Sequence, residues 1–543
     1  MSHTNQMKKT LRDRVGSANA WKLTAITAAA KRLARKTLLL DSRQTTVEPA
    51  EPIEIDKQHL ISVMRKFLAV PSYSYQDRSK MSADAFLELH RILRESYPNA
   101  HRVLERETVN ELSLLYRWPG RDRSAAPILL MSHLDVVPVE QASEAEWTHP
   151  PKEATLADGY LWGRGALDVK CGVVAIMAAL EQLCIDGFAP EQDLYFAFGH
   201  DEEVGGRDGN AVIAQQFLQQ GIRFAFVLDE GGAILDGIIP GVDHPVAFVA
   251  IAEKRMAEST LTARGVGGHG SMPGRSAIVN LARAIDRMDQ QPMPTRMTDA
   301  TWKLFEYLGS EMPLLQGTVI ANRRLFGSLV CRQLAARSST AGVVRSTINV
   351  TRLSTSAVSN QNATVATATV NTRLLPGDSL DEVEAHVRRI TDDILLPDGE
   401  RAIEFRQGPV SNGDQIAPTD CDEFRMIQRT IQEVFPEVVV APGLTAVSTD
   451  AAKYERVTDK IYRFIPMRVN QTDLKRIHGV DERIGVENLH EIVQFYIRLL
   501  HHASACPESW TQIGVVDRIA APWRQLVASN KSISEVSGGA WIE

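Results

Sequence analysis

The sequence predicts an α/β fold: a largely parallel central sheet with helices on both faces, and a smaller inserted α+β domain. Three observations lead there. From about residue 57, apolar runs of strand length alternate with segments of helical periodicity, the order that builds parallel sheets. Three of those runs end in acids or a histidine, as strands do when their carboxyl ends line a ligand crevice. After about residue 257 the apolar runs give way to strictly alternating ones, the pattern of a sheet covered on one face.

The elements follow in order. "DKQHLISVMRKFLAV" and "SADAFLELHRILRESY" have helical periodicity, and "APILLMSHLD" reads as a buried strand bounded by Pro127. "VVAIMAALEQLCIDG" is a helix closed by Gly187, "DLYFAFGHDEE" a strand, "NAVIAQQFLQQG" a helix closed by Gly221, and "RFAFVLDEGG" a strand. These belong to the first part of the larger domain, residues 56–256, expected to be the catalytic one from the residues at its strand ends. The smaller domain, 257–400, combines "AESTLTARGVGG" and the alternating "NATVATATVNTRLL" with the helices "SAIVNLARAIDRMDQ" and "SLDEVEAHVRRITDDIL". It contains an insertion at about 295–345 whose arrangement periodicity does not resolve. The second part of the larger domain, 401–505, ends in the helix "ENLHEIVQFYIRLLHHA", and residues 506–543 form an added tail.

Residues 1–55 read as a basic extension followed by a linker, "TTVEPAEPIEID", with two prolines and four acids. The first 43 residues carry ten Lys or Arg against Asp13 and Asp41, and "WKLTAITAAAKRLARKTLLL" fits a basic amphipathic helix. Three readings stay open for it: weak contact with a membrane surface, organellar targeting, or a solvent-facing extension.

At 543 residues the chain exceeds what one core supports. A net charge of -7 and a pI near 6.1 exclude a nucleic-acid binder and leave a small-molecule or peptide substrate. Five cysteines, an odd number without C-x-x-C spacing, point to a reducing, cytoplasmic setting and to no cysteine metal site. No stretch reaches the roughly 18–20 apolar residues of a membrane span.

The strand ends place His133 with Asp135, Glu202 with Glu203, and Asp229 with Glu230 at one crevice. Asp168 follows the glycine-rich "WGRGALDVK", where it would otherwise be read as a helix cap. His478 stands in "LKRIHGVDERI", after the strand-like "KIYRFIP". His133, Asp168, Glu203, Asp229 and His478 are two imidazoles and three carboxylates, donors that suit two Zn²⁺ ions, with Co²⁺ or Mn²⁺ fitting the same chemistry. Without cations, that many carboxylates in one crevice would repel and take up protons.

The motifs "SHLDVVP", "WGRGALDVK", "GHDEEVGG", "VLDEGG", "GGHGSMP", "NTRLLPG" and "RIHGVDERI", in that order, resemble the dinuclear zinc metallopeptidases that include aminoacylase-1, glutamate carboxypeptidase and vacuolar carboxypeptidase S. Within them the chain is most similar to the branch of carboxypeptidase S and the N-fatty-acyl-amino-acid synthase/hydrolase. The resemblance covers about residues 57–503. It implies that Asp168 bridges two metals, that Glu203 and His478 hold one, and that His133 and Asp229 hold the other, with Glu230 the alternative to Asp229. It implies Glu202 as general acid/base and Asp135 as the support of its neighbouring histidine. The smaller domain resembles the family's lid, often used to form a homodimer, with His269, Asn360 and Arg373 at positions that meet the substrate.

The reaction so implied is hydrolysis of an amide bond to an amino acid, by an N-acyl-amino-acid hydrolase or a carboxypeptidase. A peptidase strictly on peptides and a silent binding protein on the same fold are the alternatives. One departure stands out: "TDAAKY" has Ala452 where relatives carry an arginine, and neighbouring Lys453 lacks the bidentate fork of a guanidinium.

Overall fold

The computed structural model describes residues 41–272, 274–355 and 358–504. The strands Glu105–Val109, Ser113–Trp118, Leu194–Gly199, Ile128–His133, Phe226–Asp229, Ile461–Arg463, Val246–Glu253, Ile234–Leu235 and Arg468–Val469 lie side by side in that order, and Val439–Thr445 also pairs with Val246–Glu253. The four central strands, from Leu194–Gly199 to Ile461–Arg463, are mutually parallel. Antiparallel pairs flank them on both sides.

Alternation of side chains explains why both faces are covered. Ile128 and Leu130, Phe196 and Phe198, and Phe226 and Leu228 join the core on one face. Leu129 and Met131, Tyr195 and Ala197, and Val227 join a second cluster on the other, with Ile213 and Phe217 of the helix Asn210–Gln219. The first face is filled by the helix Lys170–Ile185, whose residues from Lys170 to Leu180 are all buried. Helices Lys57–Ala69 and Val486–Ser504 pack on it in turn, so it is apolar all round, as a fully enclosed helix must be. Each fully buried Leu, Ile or Val there contributes about 1.5–3 kcal/mol.

A second sheet, in the order Thr347–Thr355, Val365–Leu374, Arg255–Arg264, Ile403–Arg406, is antiparallel throughout. Ala366, Ala368, Val370 and Leu374 point inward to a separate core shared with helices Ala277–Gln290 and Leu380–Thr391. Ser379 and Glu382 close a capping box at the start of the latter.

Three features differ from the sequence-based expectation. Ile403–Arg406 pairs with Arg255–Arg264, so the smaller sheet draws on residues beyond the expected limit at 400. The segment 295–345 is helical, and its first helix, Asp299–Leu308, turns Ala300, Tyr307 and Leu308 into the main core against Val439–Thr445 rather than staying with the lid. The expected linker lies along the main body: the Ala50 N–H donates to the Glu433 carbonyl at 3.0 Å and the Ile53 N–H to Gln494 Oε1 at 2.8 Å. The basic segment before residue 41 and the tail after 504 fall outside the described residues. Among those described, no helix is long and apolar enough to cross a membrane.

Candidate metal centre

The crevice opens at the carboxyl ends of the central parallel strands. His133 is the last residue of its strand and is buried. Its Nδ1 lies 2.9 Å from the Asp135 carbonyl, which fixes the ring and leaves Nε2 facing the crevice. Asp135, wholly buried, does more than support that imidazole. Its Oδ1 and Oδ2 accept the backbone N–H groups of Glu202 and Glu203, each at 3.1 Å, and Oδ2 also accepts from Ser74 Oγ at 2.6 Å.

Glu202 and Glu203 occupy one 3-10 turn, Glu202–Val204, directly after the strand Leu194–Gly199. Gly205 and Gly206 reverse the backbone behind them with φ of 104° and 60°, a region costly to any side chain. A Cβ on Gly206 would fall 1.9 Å from Asp450 Oδ1. Asp201 serves that turn, accepting the N–H groups of Asp208 at 2.8 Å and Gly209 at 2.9 Å.

Asp168 does not cap the following helix, which starts at Lys170 with no side-chain cap. Its two oxygens diverge: Oδ1 lies 3.2 Å from His133 Nε2 and Oδ2 lies 2.9 Å from His478 Nε2. His478 Nε2 is also 3.1 Å from Glu203 Oε1. Donors about 2.1 Å from one tetrahedral ion stand about 3.4 Å apart, so these separations suit ligands sharing ions on either side of Asp168.

A small sheet brings His478 here. Tyr160–Trp162 pairs with Thr155–Ala157 on one side and Arg483–Gly485 on the other, which joins the segment leading to Asp168 to the segment following His478. Glu482, fully buried, clamps the junction. Its Oε1 accepts the N–H groups of Leu167 at 2.8 Å and Asp168 at 3.1 Å, and its Oε2 meets Arg164 Nη1 at 2.6 Å. Arg164 Nη2 donates to the His478 carbonyl at 2.9 Å, holding that residue at a left-handed φ of 60°.

Asp229 and Glu230 part company. Asp229 Oδ2 accepts from the Ala451 N–H at 2.9 Å, and Glu230 Oε1 lies 3.7 Å from His133 Nε2. Of these two acids, Glu230 is the one whose oxygen joins the gathered donors among the described residues. The donors of His133, Asp168 and Glu203, and those of His133, Glu202 and Glu230, gather within 4.8 Å of one another.

The electrostatics of these donors call for cations. Burial, then repulsion from neighbouring carboxylates, pushes Glu202 and Glu230 well above the usual carboxylate range and Glu203 above it too. Hydrogen bonds to Asp168 and Glu203 raise His478 to about 10. At His133 burial opposes the charge, but the Asp135 and Asp168 carboxylates together raise it well above the ordinary value. The surrounding carboxylates thus favour the protonated form of both imidazoles, whose protons a metal would have to displace. Loading Zn²⁺ into the metal-free protein is expected to release protons, with affinity rising from pH 6 to pH 8. Titration calorimetry in buffers of different ionisation enthalpy checks this; a binding heat independent of buffer would contradict it.

The lid residues stand apart from this cluster. His269 is exposed on the two-residue strand Gly268–His269, with its Nδ1 2.7 Å from Ser271 Oγ, and Asn360 is exposed beside it, its carbonyl accepting the Gly270 N–H. Among the described residues neither contacts the donors. Arg373 Nη1 donates to Ser448 Oγ at 2.9 Å, tying the lid sheet to the loop before Asp450. Ala452 is buried, and Lys453 Nζ is held by Asp450 Oδ1 at 2.6 Å.

Ser74, Arg164 and Glu482 are supporting residues that sequence reasoning did not single out. Arg164 and Glu482 lie within the quoted motifs, so a charged pair there was visible, but nothing local shows that the two meet.

The pattern of peptidase family M20/M25/M40 matches residues 129–502. Probable carboxypeptidase S-like 2 of Dictyostelium discoideum is 35% identical over 480 residues, 86% of this chain and 91% of that protein. The N-fatty-acyl-amino acid synthase/hydrolase PM20D1 of Xenopus tropicalis is 34% identical over 459 residues, 83% of this chain and 87% of that protein. Among solved structures, the M20 family metallo-carboxypeptidase Sso-CP2 from Sulfolobus solfataricus shares the fold, with a TM-score of 0.59 at 15% identity over 83% of this chain and 100% of that one. The chain belongs to peptidase family M20/M25/M40 and is a metallohydrolase.

Proposed function

We propose that this metallohydrolase cleaves the amide bond of N-acyl amino acids, using two Zn²⁺ ions and Glu202 as general base. His133, Asp168 and Glu230 would hold one ion and His478, Asp168 and Glu203 the other, with Co²⁺ or Mn²⁺ able to occupy the same donors. The chemistry these ions supply when bound is Lewis-acid activation of a water and of the amide carbonyl.

The observation that carries the reading is the division of labour at Asp135. It aims both glutamates, yet Glu203 is engaged by His478 while Glu202 stands 3.9 Å from His133 Nε2 with no side-chain hydrogen bond among the described residues. A carboxylate so placed is free to move a proton. Glu202 takes one from the attacking water as the new C–O bond forms, and returns it to the amide nitrogen as the C–N bond breaks. His269 and Asn360, exposed on the lid, would reach a substrate from a second copy of the chain. An outward-facing edge strand, Thr347–Thr355, and a groove of about 700 Å³ between it and the helix Ala277–Gln290 support a homodimer built through the lid. The free thiols Cys171, Cys184, Cys331 and Cys421 support a cytoplasmic placement.

Substrate choice rests on residues 450–453. With Ala452 in place of an arginine and the Lys453 ammonium engaged by Asp450, no bidentate grip on a peptide's terminal carboxylate is available there. That favours substrates held mainly by their acyl group, the chemistry named for the Xenopus relative. Zinc-loaded protein offered N-acyl amino acids of rising chain length, alongside dipeptides, is expected to show kcat/KM climbing with acyl length. Dipeptide rates that match or exceed them would establish the carboxypeptidase reading instead.

A further inference from the structure

Two helices of the insertion present a surface unlike the rest of the molecule. Leu314–Ala321 and Arg323–Ala335 pack against each other beyond the helix Asp299–Leu308. Leu315 is 80% exposed, Leu325 76% and Leu329 57%, values that place three large apolar side chains almost wholly in water. Leu325 and Leu329 are four apart on one helix face, with Ser328 between them and Arg332 one turn on, all exposed. Exposed leucines on both helices give this surface a strong drive to be covered.

Charge says by what. Residues 313–337 hold Arg323, Arg324, Arg332 and Arg337 and no acid, in a chain whose net charge is -7. Arg323 pairs with Glu306, but Arg324, Arg332 and Arg337 are exposed and form no ion pair among the described residues. Ser42, near the end of the basic segment, meets the body close by: its Oγ donates to Glu311 Oε1 at 3.0 Å, three residues before the pair of helices begins. That segment carries ten Lys or Arg of its own, so like charge opposes its lying over the leucines. A cationic helix pair with exposed leucines complements an anionic partner that also accepts apolar side chains.

We propose that the helix pair Leu314–Ala335 docks on an anionic phospholipid surface, its leucines entering the acyl boundary and its arginines meeting the headgroups. The proposal concerns the insertion and stands whether the substrate is an acyl amino acid or a peptide.

The test is co-sedimentation of the full chain with vesicles of equimolar phosphatidylcholine and phosphatidylserine. Two variants accompany it, Leu315→Ser/Leu325→Ser/Leu329→Ser and Arg324→Gln/Arg332→Gln. Each is expected to lower partitioning by about tenfold or more while leaving hydrolysis of a water-soluble substrate unchanged. Binding of the wild-type chain is expected to weaken with added salt and to fall away on vesicles of phosphatidylcholine alone. Three results would overturn the proposal. The serine variant could partition as the wild type does, assigning any binding to the N-terminal segment. Vesicles of either composition could bind equally. Or the wild-type chain could be a dimer in solution that the serine variant dissociates, making the face a contact between copies.

Discussion

Replacing Glu202 by Gln is expected to lower kcat by about 10²–10⁴-fold, the contribution of a positioned general base, with metal content unchanged. The amide keeps the shape and the backbone N–H that Asp135 holds, and removes the proton-accepting oxygen. Because the cluster retains His133, Asp168, Glu203, Glu230 and His478, metal analysis should give the wild-type stoichiometry. KM should change little if Glu202 acts on the water rather than on substrate binding. Loss of metal along with activity would make Glu202 a ligand. A wild-type protein with full metal that hydrolyses no acyl amino acid and no dipeptide would make the chain a binding protein on this fold.

The second large effect is at Glu482. Glu482→Gln keeps one acceptor for the Leu167 and Asp168 N–H groups, but takes the charge from a pair in which both side chains are buried. Stranding the Arg164 guanidinium is expected to cost about 3–5 kcal/mol of stability. As the same network orients Asp168 and the His478 carbonyl, zinc affinity should fall about 10–100-fold. Denaturant unfolding and zinc titration of the same variant read the two effects separately. Adding Arg164→Met, which removes the stranded charge, should recover part of the stability without restoring the affinity. An unchanged unfolding midpoint and unchanged affinity in Glu482→Gln would show that the pair supports neither.

Much of this was legible before any coordinates. His133, Asp168, Glu203 and His478 could be singled out because each sits where an apolar run or a glycine turn ends and because together they form a set of metal donors, although Asp168 by itself reads equally as a helix cap. Helix caps were equally plain: Gly187 and Gly221 end their helices at φ of 72° and 67°. Strand direction was not legible, since an apolar run reads the same either way, and the antiparallel edges of the main sheet appear only in the pairing. Asp229 against Glu230 was not legible, because two adjacent acids at a strand end differ by a single position. The insertion hid its helices because short segments broken by Pro313 and Asn322 carry too few turns for periodicity to register. Arg164 and Glu482 were invisible as a pair because 318 residues separate them.

That separation sets the order of events during synthesis. At about 5–20 residues per second, a ribosome takes roughly 15–60 s to travel from Arg164 to Glu482. For most of that interval, once Glu230 has been made, the emerging chain holds His133, Asp168, Glu203 and Glu230 but neither His478 nor the strand Arg483–Gly485 that completes the small sheet. Truncated products therefore lack the donor that lies beside Asp168 Oδ2 and cannot assemble the second half of the cluster. The three-stranded sheet thereby acts as a check on chain length, closing the centre only on chains that extend through Gly485.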